Sequence, residues 1–224
     1  GGSIKYSEDD ILATERGDDP YNHSYLNWAN EVYKPTYITQ HTLNLTGGSE
    51  VGRYLVSFDY LDQPGLVKNT EYQRYSYRVN TDLNIGKMLK VSSDVTYRHV
   101  DRLWPESLGS VQYDVWSMQP TSPVRYENGD YRLDKQNRNA ISLMDLDVVG
   151  EDRYNMDVVY GQVKADFEPI KDLVFTGMAS LNGSWDRRKI HYKNYKYYNE
   201  TGELVTQRNN PNSVKDSRNN SYQM

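Results

Sequence analysis

The stretch that most limits what this chain can become is Tyr75-Ser-Tyr-Arg-Val-Asn-Thr-Asp-Leu-Asn-Ile85. Read in steps of two, Tyr75, Tyr77, Val79, Thr81, Leu83 and Ile85 fall on one side. Ser76, Arg78, Asn80, Asp82 and Asn84 fall on the other. Successive strand residues point to opposite faces, so the stretch has one apolar wall and one polar wall. A helical period would scatter the same tyrosines and charges around the axis. The apolar wall matches the roughly 9–11 residues that a tilted strand needs to cross a bilayer, whereas strands of soluble domains average about 5–6.

Six strands are expected in all, at 41–46, 53–61, 75–85, 89–99, 155–167 and 173–185. Tyr54, Val56, Phe58 and Tyr60 make the apolar side of the second, and Leu89, Val91, Val95 and Tyr97 that of the fourth. Short turns at Gly47-Gly-Ser-Glu50, Gly86-Lys-Met88 and Glu168-Pro-Ile-Lys-Asp172 alternate with longer connections. Up-and-down membrane barrels place short turns at one end and long loops at the other. In that orientation Tyr60, Tyr75, Tyr77, Tyr97 and Trp185 lie toward the outer rim, with Tyr54, Phe167 and Phe175 toward the inner one, as aromatic girdles do. The fifth strand has apolar residues on both sides: Val159, Val163 and Phe167 on one, Met156, Val158 and Tyr160 on the other. A bulge midway would exchange its faces.

The expected fold class is therefore all-β: an antiparallel up-and-down transmembrane β-barrel segment of about six strands with long extracellular loops. Residues 1–39 read as an irregular, acidic, solvated connection, with a short helical turn at Asn27–Tyr33 ended by Pro35. Residues 40–100 hold four strands, 101–153 a long extracellular loop, 154–186 two strands, and 187–224 a second, truncated loop. Neither an apolar leader at Gly1–Tyr6 nor a closing strand at Ser221–Met224 is evident, so the chain reads as an internal piece of a longer protein.

Composition sharpens this. No stretch of the 224 residues approaches the ~18 consecutive apolar residues of a membrane helix. Mean hydropathy is −0.88, but alternating strands hide a barrel from such an average. A net charge of −5 argues against nucleic acid as a partner. The absence of cysteine removes disulfides and thiolate metal sites. The 21 tyrosines against three phenylalanines suit membrane interfaces and sugar- or peptide-binding loops alike.

The order of short motifs adds a resemblance. Asn27-Trp28, His41-Thr-Leu-Asn-Leu-Thr-Gly-Gly-Ser49, Arg53-Tyr-Leu-Val-Ser57, Tyr60-Leu-Asp-Gln-Pro-Gly65 and Tyr72-Gln-Arg-Tyr-Ser-Tyr-Arg-Val-Asn80 follow one another. Together they resemble the SusC/RagA family of TonB-linked outer-membrane proteins. Glu168-Pro-Ile-Lys-Asp-Leu173 looks like one of its periplasmic turns. The resemblance runs from about Ser7 to Ser184 and is densest from Asn27 to Leu89. It implies a 22-stranded barrel with a plugged lumen, the size of large outer-membrane transporters. It also implies import of large nutrients, glycan or peptide, with a SusD-like lipoprotein as lid and TonB–ExbB–ExbD as energy source.

Catalytic and metal signatures are missing from the sequence. His23, His41, His99 and His191 are scattered without metal-ligand spacing, and no nucleophile, base and orienter group together. The chain is expected to be no enzyme and to need no cofactor. Arg53, Asp59, Arg74, Arg78, Asp82, Lys90, Asp94 and Arg98 line the polar wall, where cross-strand ion pairing is expected. Cargo contacts are expected from aromatic loop residues: Trp104, Tyr113, Trp116, Tyr126 and Tyr131, then Tyr192, Tyr195, Tyr197 and Tyr198. Their rings can stack on sugars or pack on peptide side chains. The rival reading is a soluble, tyrosine-rich β-sandwich that binds carbohydrate. The two differ in what covers the apolar walls: a second sheet of this chain in one case, hydrocarbon in the other.

Overall fold

The computed structural model describes residues 6–199, 201–207 and 213–223. Its frame is one antiparallel sheet of seven strands in sequence order. These are β1 (Thr39–Gly48), β2 (Gly52–Asp62), β3 (Glu71–Ile85), β4 (Leu89–Pro105), β5 (Gly150–Ile170), β6 (Leu173–Tyr192) and, after a two-stranded ribbon of β7 (Lys196–Tyr198) and β8 (Leu204–Gln207), β9 (Ser213–Gln223). Three tight turns, after β1, β3 and β5, gather at one end. The first needs glycine for a steric reason: a Cβ at Gly48 would come 2.6 Å from the Gly52 carbonyl oxygen, a backbone atom that cannot swing away.

Register fixes the faces. Leu45, Val56, Val79, Val95, Gly161 and Leu181 form one continuous outward row across six strands. Toward the far end, His41, Tyr60, Tyr75, His99, Asp157, Trp185 and Asn220 form another. Rings touch along that second row, with centroids 4.9 Å apart for Tyr60 and Tyr75. Tyr97 and His99 both bond Asp157, at 2.6 and 2.8 Å. An apolar band below a ring of tyrosine, histidine and tryptophan is the profile of a wall set in a bilayer.

Nothing among the described residues covers that band. Tyr77 is 47% exposed, Val79 40%, Val95 46% and Phe175 59%. No second sheet packs on it, which removes the sandwich reading: a sandwich buries the inner faces of both its sheets. Among the described residues no helix is long and apolar enough to cross a membrane. The opposite face is polar and internally paired. Arg74 meets Asp59 at 2.9 Å, Lys90 lies 3.5 Å from Asp82, and Ser92 bonds Asp82 at 2.6 Å.

Several expectations need correction. There are seven strands in the sheet, not six, because 213–223 within the supposed terminal loop pairs along β6. β3 to β6 run well past the aromatic row, so the long loop shrinks from 101–153 to 106–149. Above the row the outward residues turn polar (Glu71, Gln73, Asp101), which ends the apolar alternation while the ladder continues. The fifth strand has no bulge midway. Its register on β4 is unbroken from Leu89 opposite Phe167 to Pro105 opposite Glu151, and the irregularity sits beyond Phe167 at the turn. Met156, Val158 and Tyr160 thus face inward, and Val100 opposite Met156 is buried there. Residues 6–38 are not simply irregular and solvated. They form α1 (Glu8–Arg16) and α2 (Trp28–Val32), and Trp28 and Val32 are buried.

A charge in the outward band should be costly. Val95→Arg in the full-length protein is expected to lose about 2–4 kcal/mol of folding free energy in the membrane, the cost of arginine near the bilayer midplane. Ser180→Lys on the inward face should cost much less. Refolding into detergent or lipid, titrated with urea, measures both.

Candidate functional site

The end of the sheet opposite the tight turns carries a folded cap. It is assembled from residues 6–38, the β2–β3 connection, the 106–149 loop and the ribbon β7–β8. Each piece is held by local chemistry first. Ser7 caps α1 with its hydroxyl accepting from the Asp10 amide at 3.1 Å, while Asp10 accepts from the Ser7 amide at 2.9 Å. Asn27 caps α2 in the same way, at 3.2 Å from the Asn30 amide. In α3 (Leu108–Ser117) the spacing of Val111 and Val115, with Met118 just beyond, makes one apolar stripe.

These stripes have no partner within their own segments, so they bury one another. Trp28, Val32, Val111, Val115, Met118, Ala140 and Met144 form the main cluster. The Trp28 indole N–H donates to the Gln119 carbonyl at 3.0 Å. Asn139, almost fully buried, donates to the carbonyls of Val124 and Arg132 at 2.8 Å each and accepts from the Ser142 amide at 3.0 Å. Its polar atoms are thereby satisfied, as burial demands. A second cluster joins Tyr131, Leu133 and Tyr197. The Ser142 and Tyr197 hydroxyls lie 2.8 Å apart, and the ribbon is tied in where the Leu133 amide donates to the Tyr198 carbonyl at 2.9 Å. Gly150 anchors the loop to β5: its φ is +94°, and a Cβ there would collide with the His191 carbonyl.

The cap brings three tyrosines from three segments to one open cleft of about 480 Å³: Tyr21, Tyr126 and Tyr198. Asn22, Glu127, Asn128 and Asp130 supply amides and carboxylates around it. Arg132 braces the cleft from behind, donating to the Tyr21 carbonyl at 2.7 Å with its guanidinium 5.4 Å from the Tyr126 ring. The Tyr126 hydroxyl accepts from the Gly202 amide at 3.2 Å. Asn128 sets the turn beside it, accepting from the Asp130 amide at 3.0 Å. Ring faces with flanking hydrogen-bonding groups suit a ligand that offers flat apolar patches and hydroxyls or amides.

The other expected aromatics divide sharply. Tyr113 and Trp116 stand out from α3, 69% and 73% exposed. Trp104 and Tyr192 are strand residues rather than loop residues, at the ends of β4 and β6. Trp104 carries the Arg102 guanidinium 3.8 Å over its ring on the inward face. Beside them Asp152, buried, takes Arg188 in a two-point pair at 2.9 and 2.6 Å. Tyr131 and Tyr197 are core residues, not ligand rings. Tyr131 donates to Asp145 at 2.7 Å, and burial together with that bond pushes its phenol far above the ordinary range. Tyr195 packs on Tyr197 with centroids 4.6 Å apart. Sequence reasoning missed Tyr21, Asn22 and the Glu127–Asp130 turn. The Asn128-Gly129 pair was the available signal for that turn.

Comparison with known proteins fits this architecture. The chain is 30% identical over 114 residues to TonB-dependent receptor P26 of Formosa agariphila, which covers 50% of this chain and 11% of the relative. It is 30% identical over 99 residues to TonB-dependent receptor P3 of the same organism, covering 42% and 10%. The RagAB peptide importer in its open-open state superposes with a TM-score of 0.65 at 18% identity, over 98% of this chain and 26% of that one. Its closed-closed state gives 0.64 at 18% identity, over 86% and 24%. The chain is thus similar in sequence to TonB-dependent receptors and shares its fold with the RagAB structures. No family model matches it. The chain spans only about a tenth of the length of the two receptors it matches, 11% and 10%.

One buried charge makes the cap sensitive to pH. Burial raises the carboxyl of Asp114 above its ordinary 3.8, with Arg138 pulling it back and Asp134 pushing it further up. A raised carboxyl favours the protonated folded state, so its contribution is fully present below the unfolded value and is lost as pH rises through the native one. Asp114→Asn is therefore expected to stabilise the cap at neutral pH and to make little difference in acid. Thermal melting followed by tryptophan fluorescence across that range measures it. Trp28→Ala, by contrast, should cost about 3–5 kcal/mol at every pH.

Proposed function

We propose that this chain is part of the wall and outer cap of an outer-membrane, TonB-dependent importer of large nutrients. The tight turns lie in the periplasm and the cap faces the medium. The observation that carries this reading is the uncovered apolar band, bounded by the aromatic row that begins at His41 and ends at Trp185 and Asn220. A wall of that kind is at home only where hydrocarbon lies against it. The kinship with TonB-dependent receptors supports energy coupling through TonB–ExbB–ExbD. The likeness to a peptide importer supports a large cargo, with a SusD-like lipoprotein as lid and the remaining strands and plug of a 22-stranded barrel completing the pore.

In this reading the cleft of Tyr21, Tyr126 and Tyr198 receives glycan or peptide. Tyr113 and Trp116 offer further stacking surface on the cap, and Trp104 and Tyr192 meet cargo on its way inward. Tyr131 and Tyr195 act indirectly, by holding the cleft's walls.

In the full-length protein with its lipoprotein, Tyr126→Ala and Tyr198→Ala should each weaken cargo binding about thirtyfold, the size of one aromatic hot-spot contact. Calorimetry with oligosaccharide and oligopeptide pools measures the loss and separates the two cargo classes. Unchanged affinity in both variants removes the cleft from the cargo path. A parent protein that fractionates with the cytosol removes the importer reading altogether.

A further inference from the structure

The outward face changes character just above the aromatic row, and it does so on one side only. On β1 to β4 the next residues are Thr39, Asp62, Gln73 and Asp101, without a cation. On β5, β6 and β9 they are Asn155, Arg187 and Arg218, and one step higher Arg153, Lys189 and Asp216. Two pairs of like charges therefore stand directly across from each other: Arg187 with Arg218, and Arg153 with Lys189. Directly opposed like charges destabilise a sheet.

Internal pairing answers only part of this. Asp216 binds Arg187 at two points, 3.0 and 2.5 Å, and reaches Arg218 only at 4.0 Å. Arg153 lies 3.8 Å from both Asp101 and Glu151. Lys189 stands directly across from the same Asp216 and feels its charge, so one carboxylate is shared among three cations, and Arg218 keeps 70% of its side chain exposed.

The position says what the missing anion is. Arg187 and Arg218 sit one step, about 5 Å along the bilayer normal, above Trp185 and its partner Asn220, and Lys189 about 10 Å above them, given ~3.3 Å per residue on a tilted strand. Trp185 and Tyr222 are joined by a 2.7 Å hydrogen bond and mark the membrane interface on these two strands. The cations point sideways, into the layer where lipid headgroups lie, and not up into the cleft.

We infer that Arg187, Lys189 and Arg218 form a docking site for the phosphate groups of an outer-leaflet lipid. A phosphate between the strands would accept from both arginines and relieve their repulsion, a contact guanidinium geometry favours. This rests on the importer reading, since only a membrane wall brings headgroups to that face.

The test uses the full-length protein in phosphatidylcholine nanodiscs doped with phosphorylated lipid A or with its dephosphorylated form, bound lipid being counted by native mass spectrometry. Lys189→Gln with Arg218→Gln leaves the Arg187–Asp216 pair intact and so keeps the sheet folded. Each basic side chain at an anionic lipid surface is worth about fivefold, so this double variant should retain about 25-fold less phosphorylated lipid. The dephosphorylated form should be held equally poorly by variant and wild type. Equal retention of phosphorylated lipid by the two proteins, or wild type that ignores the phosphates, overturns the site while leaving the importer reading standing. Wild type that stays out of the discs overturns both.

Discussion

Each strand of this sheet bonds only to the strands beside it, in chain order apart from the ribbon between β6 and β9, and a lipid-facing wall has no water to satisfy an amide that loses its partner. Pairing has to be continuous, and continuity fixes register. A slip of one residue would turn Tyr77, Val79 and Val95 inward and send Arg78, Asp94 and Thr96 into hydrocarbon. That penalty is why 15 consecutive pairs join β3 to β4 and 17 join β4 to β5 without a break. From register come, without further input, the aromatic row, the ion pairs of the inward face and the height at which each strand leaves the membrane.

Beyond that height the solvent changes and the rules change with it. The strands continue as a ladder in water, and the segments between them behave as a small globular domain. None of those segments can bury its own apolar stripe, so their order is collective. Trp28 finds its carbonyl partner 91 residues further on, and Asn69 donates to the Met144 carbonyl across 75. The tyrosine cleft inherits this. Its rings come from three segments, so its shape depends on the shared core and, through Gly150, on the wall below.

What could be read from the residues follows the same division. Inside the membrane the environment is one-dimensional: period two, apolar out, polar in. The stretch from His41 to His99 stated that plainly, down to which tyrosines share the rim. Above the aromatic row the outward face has no required polarity, so Glu71, Gln73 and Arg153 carry no periodic signal even though they are paired. β9 was illegible for the same reason, being a run of Ser, Asn, Lys, Asp and Arg whose strand character comes only from the β6 edge beside it. The motif order from Asn27 to Leu89 pointed toward the TonB-dependent receptors that the chain resembles, but could not separate core tyrosines from surface ones. Tyr131 and Tyr126 stand five residues apart in one loop. One is sealed beneath Arg125 and the other opens on the cleft, because long-range packing decides it.

Charge follows the same logic of place. On the inward face acids and bases reach one another diagonally between neighbouring strands, Asp59 to Arg74 and Asp82 to Lys90. Below the aromatic row the outward face is almost free of charge, with Asp157 held at the rim by Tyr97 and His99. Only on β5, β6 and β9, one and two steps above the rim, are like charges set directly across from each other. A sheet that pairs its charges so carefully elsewhere has every opportunity to pair these too. That the opposition is confined to headgroup depth, on one flank, is what makes an external anion the economical explanation of it.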